Sequence, residues 1–390
     1  MNTKTNTRTP KAAMNLGKFD HTVLLLQGGG ALGAYQAGVY AGLTEMGLAP
    51  DWIAGVSIGA INAALIAGNP PERGVERLRE FWTRMSAQAS FMPPASLDPM
   101  RPVFNFLSAA SVVAFGVPGF FTPRMPPPFM AADGSMGALS YYDTSPLRAT
   151  LEELVDFDRI NRQEVRLSLG AVSVRTGNSV YFDNQKMRIG PEHVLASGAL
   201  PPGFPPVEVD GELYWDGGIV SNTPLWYVVD EDYRMSALIL QVDVFSAAGE
   251  LPQNLRQVAE RAKDIQYASK TRFNSTRIKE LEDLRVSLRH VLDKLPPEAR
   301  SDPDVQRLTA ASTRGAIALV HFINRHNTRS SDFKDYEFSR ATVTDLWEGG
   351  HDDVRRSMTH PQWRNAMEIA HGIHVYDLTP SDAVQQEHAP

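Results

Sequence analysis

Three short segments of this 390-residue chain hold residues whose types and spacing could do chemistry. The first is Gly55-Val56-Ser57-Ile58-Gly59, a G-x-S-x-G pattern in which a serine between two glycines is lifted from a sharp strand-to-helix turn as an exposed nucleophile. A helix starting there adds its dipole and unpaired N–H groups, which favour negative charge developing beside the hydroxyl. The second is Gly28-Gly29-Gly30-Ala31-Leu32-Gly33, which fits G-x-G-x-x-G between a strand and a helix. The third is Asp216-Gly217-Gly218, directly after Tyr214-Trp215. It sets a carboxylate at a strand end where glycines leave room for an approaching group, and a carboxylate so placed can serve as a base on its own.

Each segment also has a plainer reading. Ser57 can be a helix N-cap between two turn glycines, the glycine run a tight turn, and D-G-G an ordinary turn. The glycine run has a chemical rival as well, a dinucleotide-binding loop, which wants an acidic residue at the end of the second strand roughly 20 residues on. Asp51 has about that spacing but precedes its strand, whose far end is taken by Val56-Ser57. Taken together with Ser57, the same glycines offer backbone N–H groups for an oxyanion hole. None of the ten histidines stands in a context that marks it as the partner base. His193 reads as a helix residue; His290, His321 and His326 fall in helical polar stretches; His351 to His388 lie in the tail.

The elements that must position these residues follow from periodicity. His21–Gln27 reads as a buried strand, 34–46 as a helix, Asp51–Val56 as a second strand and 58–67 as a second helix, the βαβα pattern of a parallel sheet. Val165–Val174 and Ser179–Asp183 read as a hairpin turning at Arg175–Asn178. Pro191–Ser197 is a short helix, and Leu213–Trp215 and Ala237–Val244 are strands. From Asn254 to Leu295 apolar residues recur at helical spacing among Arg, Lys and Glu, which predicts one or two amphipathic helices before a mixed polar tail. Residues 1–18 are polar and read as a frayed tail. Residues Phe91–Tyr142 form an insertion rich in Pro, Met, Phe, Gly and Ala with hardly any charge. It reads as a lid or interfacial surface, with core or subunit packing as the alternative.

Composition narrows the chemistry. With 43% hydrophobic and 21% charged residues the chain is a globular protein with a large core. Zero Cys excludes disulfides, cysteine nucleophiles and thiolate metal sites. A net charge of −7, with no basic run, argues against nucleic-acid partners. The uncharged stretches 21–44 and 103–123 are broken by polar residues and glycines, so neither reads as a signal peptide or a membrane span, and a cytoplasmic location is expected.

The order of the three motifs resembles the patatin-like phospholipases, serine lipid acyl hydrolases with a Ser–Asp dyad. The flanks agree: Ala34-Tyr35-Gln36-Ala37-Gly38-Val39 after the glycine loop, Ile61-Asn62-Ala63-Ala64 after the serine, and the run from Ala196 to Val207 ahead of Asp216. The resemblance covers about residues 20–245. It implies an α/β three-layer sandwich with a central, mainly parallel sheet, and a catalytic domain over 19–245 that includes the insertion 91–142. It implies Ser57 as nucleophile, Asp216 as base, an oxyanion hole from Gly28, Gly29, Gly30 and Gly33, and Gly55, Gly59, Gly217 and Gly218 as supports. It also implies a lipid or other acyl ester substrate, peripheral membrane contact, and no metal or organic cofactor. One departure is Leu32, where many members carry Arg or Lys. Residues 246–390, with Asp335 to Arg340 and Leu346 to Asp352, look like the extension of one bacterial subgroup and are expected to be mostly helical.

Overall fold

The computed structural model describes residues 19–87, 101–231, 236–312, 315–325, 334–369 and 371–378. The tail 1–18, Phe91 and Met92 of the insertion, and His326 and His388 lie outside the described residues. The chain opens with β1 (His21–Leu26), α1 (Gly33–Glu45), β2 (Trp52–Val56) and α2 (Ile58–Ala67), in the order expected. Helix α3 (Pro71–Met85) follows; its buried Leu78, Phe81, Trp82 and Met85 recur at helical spacing.

The insertion is more ordered than its composition suggests. It contains α4 (Arg101–Phe115) and a two-residue antiparallel ladder of β3 (Thr122–Pro123) with β4 (Tyr142–Asp143). Among the described residues, Pro102 stands in the first turn of α4, where proline is tolerated, and the rest of the helix, 103–115, is free of Pro and Gly. Then come α5 (Ser145–Leu154), α6 (Phe157–Asn161), β5 (Arg166–Ser173), β6 (Ser179–Asp183), α7 (Pro191–Ser197), β7 (Val207–Val209), β8 (Glu212–Asp216), α8 (Leu225–Glu231) and β9 (Ala237–Asp243). The last part holds α9 (Leu255–Leu292), α10 (Pro303–Ala311), β10 (Ala316–Ile323), α11 (Arg340–Thr359), α12 (Pro361–Ala366) and β11 (Gly372–Asp377).

One sheet runs through the molecule in the order β11-β10-β9-β1-β2-β5-β8-β7, with β6 also paired to β5. The six strands from β11 to β5 are mutually parallel, and β6, β7 and β8 run against their neighbours. The central strands are apolar on both faces, as parallel strands covered twice must be. Side-chain alternation makes the layers: Leu24, Leu26 and Ile53 face one core with α1, α2 and α3, whereas Val23, Leu25 and Trp52 face another with α8 and α9. Each such fully buried Leu or Ile contributes about 1.5–3 kcal/mol.

The C-terminal part is mostly helical, as expected, with α9, α10, α11 and α12, but it also adds two strands that the sequence reading lacks. β10 and β11 extend the sheet in parallel beyond β9, and His321, read as helical, lies on β10. The run Ala-Ile-Ala-Leu-Val-His-Phe-Ile is a strand signal, obscured because helix-rich charged sequence precedes it. Helix α11 also lies on α1 in close contact. A Cβ on Gly38 would collide with the Trp347 carbonyl, and one on Gly350 with the Tyr35 carbonyl. Glycine on both helices lets the two backbones touch. That contact explains why α1 is buried from Gly33 through Leu43, with the sheet on one side and α11 on the other.

Candidate active site

Sheet register brings the motifs together. The glycine loop leaves the carboxyl end of β1 and Ser57 leaves that of β2, beside the point where the chain order turns outward on both sides of β1, the crevice in which open parallel sheets bind ligands. Val56 is aligned with Gly170 of β5, and Asp216 on the other flank of β5 is aligned with Ala171. Ser57 and Asp216 therefore meet across one strand at the same level. Gly217 is required there because a Cβ would strike the Gly170 carbonyl.

Ser57 has φ 58° and ψ −126°, a conformation that non-glycine residues rarely adopt. A Cβ on Gly55 would hit the Gly59 carbonyl, and one on Gly59 the carbonyl of Leu26, so both motif glycines are needed for strand and helix to close this turn. The bend is also bonded from outside: the Ser57 N–H donates to Ser197 Oγ at 3.1 Å, and the Ser197 hydroxyl donates to the Gly170 carbonyl at 2.6 Å. Ser197 was not singled out from the sequence, although it stands in the run flanking Asp216.

Asp216 is 1% exposed and accepts from the Gly218 N–H at 2.7 Å. Burial pushes its carboxyl up to about 6, and hydrogen bonds from the Ser57 hydroxyl and the Gly218 N–H offset this only in part. The site thus pairs a hydroxyl on a strained turn with a desolvated carboxylate that changes charge near neutral pH, a combination suited to moving a proton from one to the other. Among the described residues no histidine lines the surrounding cavity, and His193, on α7, is buried with its pKa held below the usual range by that burial. No group of three or more His, Asp or Glu among the described residues could hold a metal ion.

The glycine loop is held at both ends. The Gly28 N–H donates to the Asn222 carbonyl at 3.1 Å, and Asn222 Nδ2 donates back to the Gly28 carbonyl at 2.8 Å. Gly33 caps the preceding turn, its N–H directed to the carbonyls of Gly30 and Ala31, while Asn62 Nδ2 donates to its carbonyl at 3.0 Å. The expected roles of Gly28 and Gly33 as oxyanion donors are therefore corrected: both N–H groups are already engaged. The N–H groups of Gly29 and Gly30, and that of Ile58 after the serine, line the cavity with no protein acceptor among the described residues. Leu32, at the position of the missing basic residue, is buried and donates its N–H to the Gly29 carbonyl at 3.2 Å.

The cavity over Ser57 is walled mainly by apolar side chains. Phe120 and Phe121 belong to that wall and are 7% and 2% exposed. Phe120 meets Phe81 and Phe338 edge-on, and Phe121 meets Tyr142 in the same way. Both side chains are buried, whereas the neighbouring Phe106, Leu107, Phe115, Phe129 and Met130 are each more than half exposed. No helix among the described residues is long and apolar enough to cross a membrane.

Residues 24–229 match the family model described as patatin-like phospholipase, and residues 265–369 match DUF3734, described as patatin phospholipase. No curated protein matches. Among solved structures, VipD from Legionella pneumophila is similar at 14% identity and a TM-score of 0.39, over 90% of this chain and 71% of that one. A chain of the SpcU–ExoU complex from Pseudomonas aeruginosa is similar at 18% identity and a TM-score of 0.25, over 74% of this chain and 60% of that one. Because the first family model spans more than half of the sequence and takes in the end of β1, the serine turn and Asp216, the chain belongs to the patatin-like phospholipase family of lipid acyl hydrolases.

Proposed function

We propose that this protein hydrolyses acyl ester bonds of lipids through a Ser57–Asp216 dyad and an acyl-enzyme. The observation that carries the reading is Ser57 on a strained turn, hydrogen-bonded to a buried carboxylate at the floor of an apolar cavity. Asp216 takes the proton as Ser57 Oγ attacks the ester carbonyl, and the N–H groups of Gly29, Gly30 and Ile58 receive the oxyanion. On collapse the C–O bond breaks, the alcohol leaves with the proton from Asp216, and the acyl group stays on Ser57. Water then attacks the acyl-enzyme carbonyl and gives a proton to Asp216; as the acyl C–Oγ bond breaks, Asp216 returns that proton to Ser57 Oγ and the fatty acid is released.

The acyl chain lies along the aromatic wall of the cavity, and the exposed apolar side chains of α4 and residues 125–141 meet the lipid surface. The test is intact mass spectrometry after incubation with a fluorophosphonate and with a panel of esters of graded chain length. A single adduct that maps to Ser57 and is absent from Ser57→Ala is expected, and the mass of the trapped acyl group reports the preferred chain. Turnover by folded Ser57→Ala at the wild-type rate would end the reading.

A further inference from the structure

The glycine loop has a support that the dyad chemistry does not use, and it comes from the far end of the chain. The Ala31 N–H donates to the Asp335 carbonyl at 2.9 Å. Gly30, at φ +56°, lies against that same carbonyl with no room for a Cβ. Asp335 is fixed in turn: Lys263 Nζ, projecting from α9, binds its carboxylate at 2.5 Å. The preceding Lys334, 3% exposed, binds Asp264 of α9 at 2.5 Å. Lys334-Asp335 thus faces Lys263-Asp264 in crossed register, and a slip by one residue would set Lys against Lys or Asp against Asp. The arrangement specifies one position of residues 334–335 against α9, and hence one position of the Asp335 carbonyl.

Three consecutive glycines have wide conformational freedom, and an oxyanion hole requires the donors of Gly29 and Gly30 to be fixed before the reaction. Asn222 fixes the loop at Gly28, while the Asp335 carbonyl fixes it at Gly30–Ala31. The same region builds the cavity wall: Tyr267, one helical turn beyond Lys263, together with Tyr336 and Phe338 lines the space over Ser57. Lys263 also stands over the Tyr336 ring at 5.4 Å.

We propose that Lys263 and Asp335 are positioning residues for the oxyanion loop, the ion pair between α9 and residues 334–335 holding Gly29 and Gly30 as donors toward Ser57. The proposal rests on the Ser57–Asp216 reading. It gives the C-terminal region a direct part in the reaction without contact with the reacting atoms.

The experiment compares full-length wild type with Lys263→Met, Lys263→Arg and Asp335→Asn on a short soluble p-nitrophenyl ester. It measures kcat, KM, the rate of fluorophosphonate labelling and the melting temperature. Lys263→Met is expected to lower kcat about 10–100-fold, toward the cost of losing one oxyanion donor, with KM within about threefold. Labelling should slow in parallel, the melting temperature should hold within a few degrees, and Lys263→Arg should recover most of the rate. Asp335→Asn, which keeps the backbone carbonyl, should reproduce the loss and decides the matter if Lys263→Met does not fold. Wild-type kcat in folded Lys263→Met or Asp335→Asn would overturn the proposal. So would losses that only track the folded fraction, or failure of both variants to fold. Peptide mapping of labelled wild type is the separate control: no adduct on Ser57 would sink the dyad reading itself, whatever the Lys263 variants do.

Discussion

On its Ser57 side the active site is held by the absence of side chains; on its Asp335 side the glycine loop is held by charge. The serine turn closes because Gly55, Gly59 and Gly217 let carbonyls approach where a Cβ would collide, and its hydrogen bonds run largely between backbone groups. The other support uses Lys263, Asp264, Lys334 and Asp335, long or ionised groups that reach across a gap and can be removed without creating a clash. Backbone packing of the first kind is all-or-none, because a close-packed carbonyl has nowhere to go. An ion pair of the second kind is adjustable, so damage there should reach turnover before it reaches the fold.

The comparison is broken most severely at the carboxylate. Asp216→Asn is expected to lower kcat by about 10²–10⁴-fold, the usual scale for loss of a general base, while substitution of any described histidine costs far less. A histidine variant as damaged as Asp216→Asn in a steady-state assay would replace the dyad with a triad. Wild-type kcat should fall on an acid limb near pH 6, where Asp216 takes up a proton and ceases to be a base. The stability effect has the opposite sense. The folded value of about 6 lies above the ordinary carboxylate value of about 3.9, so the native state keeps a proton that the unfolded chain has lost between those two pH values. Stability therefore falls as pH rises through that window. Removing the charge in Asp216→Asn should raise the stability at pH 7 by about 1–2 kcal/mol, seen as a higher melting temperature in the inactive variant.

A smaller effect on the reaction, but the larger one on folding, is expected at Gly59. Gly59→Ala forces a methyl group into the Leu26 carbonyl and should cost about 3 kcal/mol or more, measured by urea unfolding. The variants of the Lys263–Asp335 pair should show the reverse balance, and equal melting points for Gly59→Ala and wild type would remove the distinction between the two supports. The mildest effect belongs to the outer surface. Replacing Phe106 and Phe115 with Ser should weaken cosedimentation with phosphatidylcholine vesicles several-fold and spare hydrolysis of a butyrate ester, because both side chains point away from the core. Equal losses on both substrates would show that α4 supports the cavity instead.

This division also explains how much the sequence discloses. Missing side chains leave a mark: the glycines of the serine turn, the D-G-G segment and the strands on either side are visible in order, and so are β1, β2, β5, β6, β8 and β9 within a residue or two. Which glycine N–H groups stay unengaged is not visible, because Asn222 occupies Gly28 from 194 positions away. Ser197, although close to a flagged run, reveals its bond to Ser57 only through the register of β2 and β5. The crossed pairs Lys263–Asp335 and Lys334–Asp264 leave no mark at all, since Lys and Asp on a charged helix look like any solvated face. Strands β10 and β11 are hard to see for a related reason: they stand among charged helical segments, and neither has a hairpin turn to announce it as the β5–β6 pair does.

Strand β9 carries a consequence for synthesis. It is buried along its whole length, and its outer neighbour β10 begins only roughly 70 residues later in the chain. At a typical translation rate of about 5–20 residues per second, β9 waits for several seconds as an apolar, untwinned border of the sheet, with α1 bare of α11 for longer still. For that interval the nascent protein displays a largely apolar, unpaired strand edge of the kind on which aggregation starts. The last third of the polypeptide is therefore also the part that closes the exposed edge of the sheet and covers α1.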